Sequence, residues 1–230
     1  RFQGIASYTW SHSIDITSAD IVLNLPNTTL NPKIDRASSD FDIRHSLSAA
    51  VTYDIGHVTE KRFLNHILRD WSIDSVFRTH TATPINVVTG RRLQTTFGIA
   101  RPDLIQGVPL YVKDTSVGAG WRINRAAFSI PQQLRQGSLG RNALRGFPAT
   151  QLDFALHREF HLSESVVLQF RAEFFNIFNH PNFADPEGNL STGALFGQSI
   201  MMLGRSLGGL NPLYQIGGPR STQFALRLEF

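Results

Sequence analysis

Alternation with a period of two constrains this chain more than any other feature. The last ten residues, 221–230, set Phe224, Leu226, Leu228 and Phe230 on one face, against Gln223, Arg227 and Glu229 on the other. A residue pattern of that period is the mark of a strand with two unlike faces. Five further segments share it. Residues 1–11 place Phe2, Gly4, Ala6, Tyr8 and Trp10 on one side. Residues 44–55 do the same with Leu47, Ala49, Val51, Tyr53 and Ile55, and residues 71–80 with Trp71, Ile73 and Phe77. In 151–160 the apolar set is Leu152, Phe154, Leu156 and Phe160, and in 165–174 it is Val166, Leu168, Phe170, Ala172 and Phe174. The opposite faces carry charges of both signs, including Asp153, His157, Glu159, Arg171 and Glu173. A dry core would reject those groups, whereas a water-filled lumen accepts them.

Hydropathy excludes the other way of meeting a membrane. The longest apolar runs, residues 21–25 and 199–203, fall far short of the roughly 18 residues a spanning helix needs. Charged residues make up 17% of the chain, fewer than the roughly 25% of soluble domains. If such a chain meets a membrane, it does so through strands, whose alternation leaves average hydropathy unremarkable.

The connections alternate as well: long, medium, long, short, long, at residues 12–43, 56–70, 81–150, 161–164 and 175–220. Transmembrane barrels have short periplasmic turns and long extracellular loops, and with a periplasmic C-terminus the parity holds at every connection. The predicted fold is therefore all-β: an antiparallel transmembrane β-barrel fragment of about six strands with three long extracellular loops, in the outer membrane of a Gram-negative bacterium. A helical turn is expected near residues 61–68. Tyr8, Trp10, Tyr53, Trp71, Phe160 and Phe230 fall near strand ends on the apolar face, where interfacial aromatic girdles form. Arg158 shares that face but lies close enough to the 161–164 turn to snorkel.

Six strands do not close a barrel, since single-chain barrels begin at eight. Each unpaired backbone group at an edge in lipid costs several kcal/mol, while burying one Leu or Phe recovers only about 1.5–3 kcal/mol. Strands upstream of Arg1 are expected to complete the structure, the whole of 1–230 being the C-terminal part of a larger barrel.

Several stretches together resemble the C-terminal end of TonB-dependent outer-membrane receptors, specifically the Oar-like group with a carboxypeptidase-regulatory-like N-terminal domain. They are Arg44-His-Ser-Leu, the run from Trp121 to Pro131, the run from Gly137 to Gly146, Leu168-Gln-Phe-Arg-Ala-Glu-Phe-Phe-Asn-Ile-Phe-Asn-His-Pro-Asn-Phe183, and the terminal Phe224–Phe230. The segment ending Phe-Asn-His-Pro-Asn-Phe is the most specific. The resemblance implies a barrel of about twenty-two strands filled by a plug. Such a barrel imports a bound ligand with energy relayed by TonB, which touches only the plug. It also implies that Phe224, Leu226, Leu228 and Phe230 form the signal read by the barrel-assembly machinery. Strand addition supplies a physical basis for that recognition, and a plain lipid-facing strand accounts for the same residues. The partners implied are thus outer-membrane lipid, the assembly machinery, and the upstream strands and plug.

Candidate chemistry is sparse. Cysteine is absent, so thiolate metal sites and disulfides are excluded. The net charge of +4 comes from scattered arginines without a basic cluster, and nucleic acid is not an expected partner. His157 and His161 would share a ligand-bearing face only on a helix, and His180 starts a loop. Asp35, Asp40 and Asp42 stand beside Arg36 and Arg44 without the spacing of a calcium loop. Residues 137–146, with three glycines and two arginines, lack the spacing of a phosphate loop and read as a shaped turn. No nucleophile elbow is present, and no enzymatic activity or cofactor is expected. One lumen ion pair, Asp153 with Arg171, is predicted, because the register two residues away would oppose Asp153 to Glu173. A transport protein whose loops 89–149 and 179–220 capture ligand is the first functional reading. An outer-membrane structural or adhesion protein anchored by its barrel is the second, and a soluble β-sandwich binding module the third.

Overall fold

The computed structural model describes residues 1–18, 31–56, 70–93, 98–206 and 216–230. Six long strands form one antiparallel sheet: β1 Phe2–Trp10, β2 His45–Ile55, β3 Trp71–His80, β4 Ala149–His161, β5 Val167–Phe175 and β6 Ser221–Glu229. Each strand pairs with its neighbour in sequence, so the sheet is a meander in the order β1 to β6. All six alternating segments are strands, within two or three residues of the expected limits. The sheet is not closed among the described residues: β1 pairs only with β2, and β6 only with β5. The helical turn expected near residues 61–68 lies outside the described residues.

Pairing carries the alternation coherently across the sheet. Tyr53 stands opposite Phe2 and Ile73, Leu156 opposite Ile73 and Ala172, and Phe170 opposite Arg158 and Leu226. One face is therefore predominantly apolar across all six strands, with Arg158 the one charged residue among those named. The other gathers Thr52, Asp74, Asp153, His157, Arg171 and Glu173. Thr52 donates to Asp74 at 2.8 Å, His157 Nδ1 lies 3.3 Å from Asp74, and Arg171 Nε bonds Glu173 at 2.8 Å. Such a face satisfies its charges internally and suits a wet interior.

The predicted Asp153–Arg171 pair does not form. His157 stands opposite Arg171, and Ala155 opposite Glu173. The hairpin turn closes further along than expected, with the Leu162 and Ser163 N–H groups donating to the Val166 carbonyl. The polar Ser163, Glu164 and Ser165 thus carry the bend, and β4 runs on to His161. The slip is even-numbered, so every side chain keeps its face. Asp153 instead accepts from Arg78 of β3 at 2.8 Å, from the Gln151 side chain at 2.8 Å and from the Asn176 N–H at 2.9 Å.

The aromatics at strand ends pack as interfacial groups do. Arg158 lies over the rings of Trp71 and Phe160, 5.6 and 4.6 Å from their centroids, and Phe170 meets Trp71 edge-on. Cation–π contact gives this outward-facing guanidinium a partner on the apolar face.

The hydrophobic core is in the connections. Ile85, Val87, Ile123, Phe128, Leu144 and Phe196 are buried together, with Val108 and Leu110 packed against them. All come from the described parts of residues 81–150 and 175–220, which pack together into one body at the long-loop end of the sheet. Two-residue ladders, Pro84–Ile85 with Leu144–Arg145 and Asp103–Leu104 with Phe128–Ser129, stitch the body together. Two glycines permit its tightest approaches. A Cβ on Gly137 would sit 2.2 Å from the Pro102 carbonyl. Gly197, at φ +77°, would drive one to 2.3 Å from the Ile123 carbonyl oxygen.

Candidate functional site at the loop end

Connection 12–43 is fastened to the loop body by charge. Asp35 ends a short 3₁₀ turn, Pro32–Asp35, and is fully buried. Arg101, also buried, donates from Nη1 to Asp35 Oδ1 at 2.8 Å, from Nη2 to the Ile34 carbonyl at 2.9 Å and from Nε to the Leu139 carbonyl at 2.9 Å. One guanidinium therefore ties two loops with three charge-assisted bonds. Asp42 accepts from Arg145, Arg44 and the Ser13 N–H. Burial alone would raise the Asp42 carboxyl. The bonds from Arg145, Ser13 and Arg44 outweigh it and hold the group well below the usual carboxylate range. Arg141 pairs with Asp15 and also reaches Asp40 at 3.5 Å, and Asn142, at φ +52°, donates to Asp40 and the Ser38 carbonyl.

The carboxylates considered for a calcium role thus face the chain's own arginines, Asp35 with Arg101, Asp40 with Arg141 and Asp42 with Arg145 and Arg44. The same arrangement disposes of the phosphate-loop reading of 137–146, because Arg141 and Arg145 face carboxylates of the first connection. That segment is the shaped turn the spacing suggested, with Leu144–Arg145 entering a ladder. Sequence reasoning noticed Asp35, Asp40 and Asp42 but missed Asp15, Arg101 and Asn142, whose partners are remote in sequence.

A second joint lies where β5 leaves the sheet. Asn176 and Asn179 both adopt the left-handed conformation, at φ +49°, which asparagine tolerates better than most residues. The Asn176 N–H donates to Asp153, its side-chain amide to the His180 and Gly218 carbonyls, and its side-chain oxygen accepts from the His180 N–H. Asn182, wholly buried, grips both the N–H and the carbonyl of Thr150 on β4. The Asn179 oxygen accepts from the Arg220 N–H ahead of β6. Three asparagines thus continue the sheet's hydrogen bonding by side chain, after the ladder ends, to both neighbouring strands. This is the physical content of Phe-Asn-His-Pro-Asn-Phe. A spacing of three from Asn176 to Asn182, straight after a strand, was its signal in the sequence.

The remaining sequence candidates are dispersed. His157 faces inward beside Asp74, His161 sits opposite Val167 at the turn, and His180 belongs to the asparagine joint. No group of three metal-ligating side chains occurs among the described residues. Phe224, Leu226 and Leu228 line the outer face of β6, 53–71% exposed, and Phe230 lies just beyond that strand.

An antiparallel meander with a predominantly apolar outer face, a charged inner face and long connections packed at one end defines a membrane-spanning β-barrel sheet. The sequence model described as "Outer membrane beta barrel domain" matches residues 1–206. The chain belongs to that family, and its place is the outer membrane. No curated protein and no solved structure matches it.

Proposed function

We propose that the chain is the C-terminal segment of a TonB-dependent receptor barrel of the Oar-like kind, taking part in uptake of a ligand captured at its extracellular loops. The observation that carries this reading is the loop body. Two connections share a hydrophobic core, and the third is clamped to them through Arg101, Arg141 and Arg145. A rigid surface of this sort, held over the end of a lumen, suits selective capture better than loose tethers would. The resemblance of residues 168–183 and of the terminal strand supports the same assignment. Upstream strands would meet the free edges of β1 and β6, and a plug would occupy the charged inner face.

The test is chemical cross-linking of the full-length protein to the purified periplasmic domain of TonB. Cross-links that require a segment N-terminal to Arg1 support import. A full-length chain that carries a surface passenger in place of a plug, and does not cross-link, supports an adhesion role instead.

A further inference from the structure

A cavity of about 400 Å³ opens where the inward face of β3 ends and the loop body begins. Its walls are two stretches, 183–188 and 198–203. Backbone bonds hold them together from Ala184 N–H to the Met201 carbonyl and from Glu187 N–H to the Gln198 carbonyl. Phe147, Phe183 and Leu203 supply apolar lining, and Ile200 and Met201 form an exposed apolar rim. Phe183 is the last ring of a packed row running Tyr111, Trp121, Phe147, Phe183, with successive centroids 5.2, 4.1 and 5.4 Å apart. That row fixes the aromatic wall in place.

The charged carboxylates of the cavity have no lysine or arginine beside them in its lining among the described residues, although the chain as a whole carries a net charge of +4. Asp185 and Glu187 face the cavity with His80 and Thr83. The Thr83 hydroxyl donates to the Asp185 carboxylate, 2.7 Å from one oxygen and 2.9 Å from the other. A carboxylate has about four acceptor sites, so this single donor leaves room for another. Glu187 is already turned aside to the Asn189 N–H at 2.8 Å. Arg141 lies across Asp185 and Pro186 in a neighbouring hollow, beside Asp40 and Asn142, and Arg145 is turned to Asp42.

From this geometry we propose that the cavity binds an organic cation: an ammonium group on an apolar, ring-sized body. The ammonium would donate to Asp185, and the body would lie against Phe183 and the Met201 rim. The ring face of Phe183 adds cation–π attraction, and the methionine thioether adapts to the shape of the body. A neutral apolar ligand would leave the crowded carboxylate without its new donor. An anion would meet two carboxylates. Burial raises the Asp185 carboxyl above the usual value, with the Thr83 hydroxyl and His80 opposing the shift. Neutralising Asp185 by acidification therefore disfavours a cation. The site stands on the cavity and does not depend on whether the barrel imports its ligand.

The test is calorimetric titration of the full-length protein in detergent, with phenethylammonium as probe and 2-phenylethanol as its neutral counterpart. One saturable site for the cation is expected, with the alcohol at least about tenfold weaker. Asp185→Asn keeps an acceptor for Thr83 and should weaken the cation by about tenfold or more, and Met201→Lys at the exposed rim should do likewise. Equal affinity for the two probes, absence of saturable binding, or full cation affinity in both variants would overturn the proposal.

Discussion

Replacing Arg101 by methionine tests how the first connection is held. The arginine is buried along with its partner, their side chains only 3% and 1% exposed. Removal takes the guanidinium away from the buried Asp35 carboxylate and from two carbonyls, those of Ile34 and Leu139. Breaking a buried pair from one side costs about 3–5 kcal/mol. Since about 1.4 kcal/mol is a factor of ten, the population of the undocked connection should rise by roughly two to three and a half orders of magnitude. The six strands have separate pairing, so the loss is local. Limited proteolysis of the full-length protein in detergent reads it: cleavage within residues 31–44 should accelerate while the strands stay intact. A double variant, Asp35→Leu with Arg101→Met, removes both charges and should recover much of the loss, because the uncompensated carboxylate is gone. Cleavage of Arg101→Met at the wild-type rate would refute the clamp. So would a double variant as labile as the sum of its parts.

Four further outcomes follow from other contacts of the sheet and loops. Asp153→Ala should destabilise the sheet by about 2–4 kcal/mol in denaturant unfolding, because it removes the acceptor of Arg78, of the Gln151 amide NH₂ and of the Asn176 N–H. Arg171→Ala, at a half-exposed position, should cost no more than about 1 kcal/mol. A strong coupling between the two in a double-mutant cycle would restore the rejected register. Acid should loosen the loop clamp. Asp42 and Asp15 titrate below their ordinary value in the folded protein, so their stabilisation is complete above the unfolded carboxylate pKa of about 4 and is lost as pH falls through the lower folded values. Protease resistance of residues 31–44 that stays constant down to pH 2 would contradict this. Asn182→Ala should cost about 1–3 kcal/mol by leaving the Thr150 N–H and carbonyl unpaired, measured as a lower unfolding midpoint.

The sheet was legible in the sequence because strand faces repeat every two residues and each face has its own chemistry. Trp71, Ile73 and Phe77 could be assigned one side without knowledge of their neighbours. Register was not legible. The choice of turn between His161 and Ser165 rests on which residues bend most easily, and Asp153 had a partner in β3 that local pairing could not reveal. The loop body was hidden for a related reason. Val87, Ile123, Leu144 and Phe196 are isolated in sequence and become a core only when connections 81–150 and 175–220 meet. Arg101 and Asp35 are likewise remote from one another. The asparagine joint falls between these extremes, its spacing visible but its partners at Thr150, Gly218 and Arg220 set by tertiary structure.

The absence of cysteine makes the central claim, six strands across a bilayer, directly measurable. Single cysteines placed in turn at residues 152–157 of β4, an interior strand, can carry a spin label in the full-length protein in native outer membrane. Labels at Leu152, Phe154 and Leu156 should collide with lipid-dissolved oxygen, and labels at Asp153, Ala155 and His157 with a water-soluble relaxant. Accessibility to the aqueous relaxant at every position, or no alternation between neighbours, would contradict the barrel.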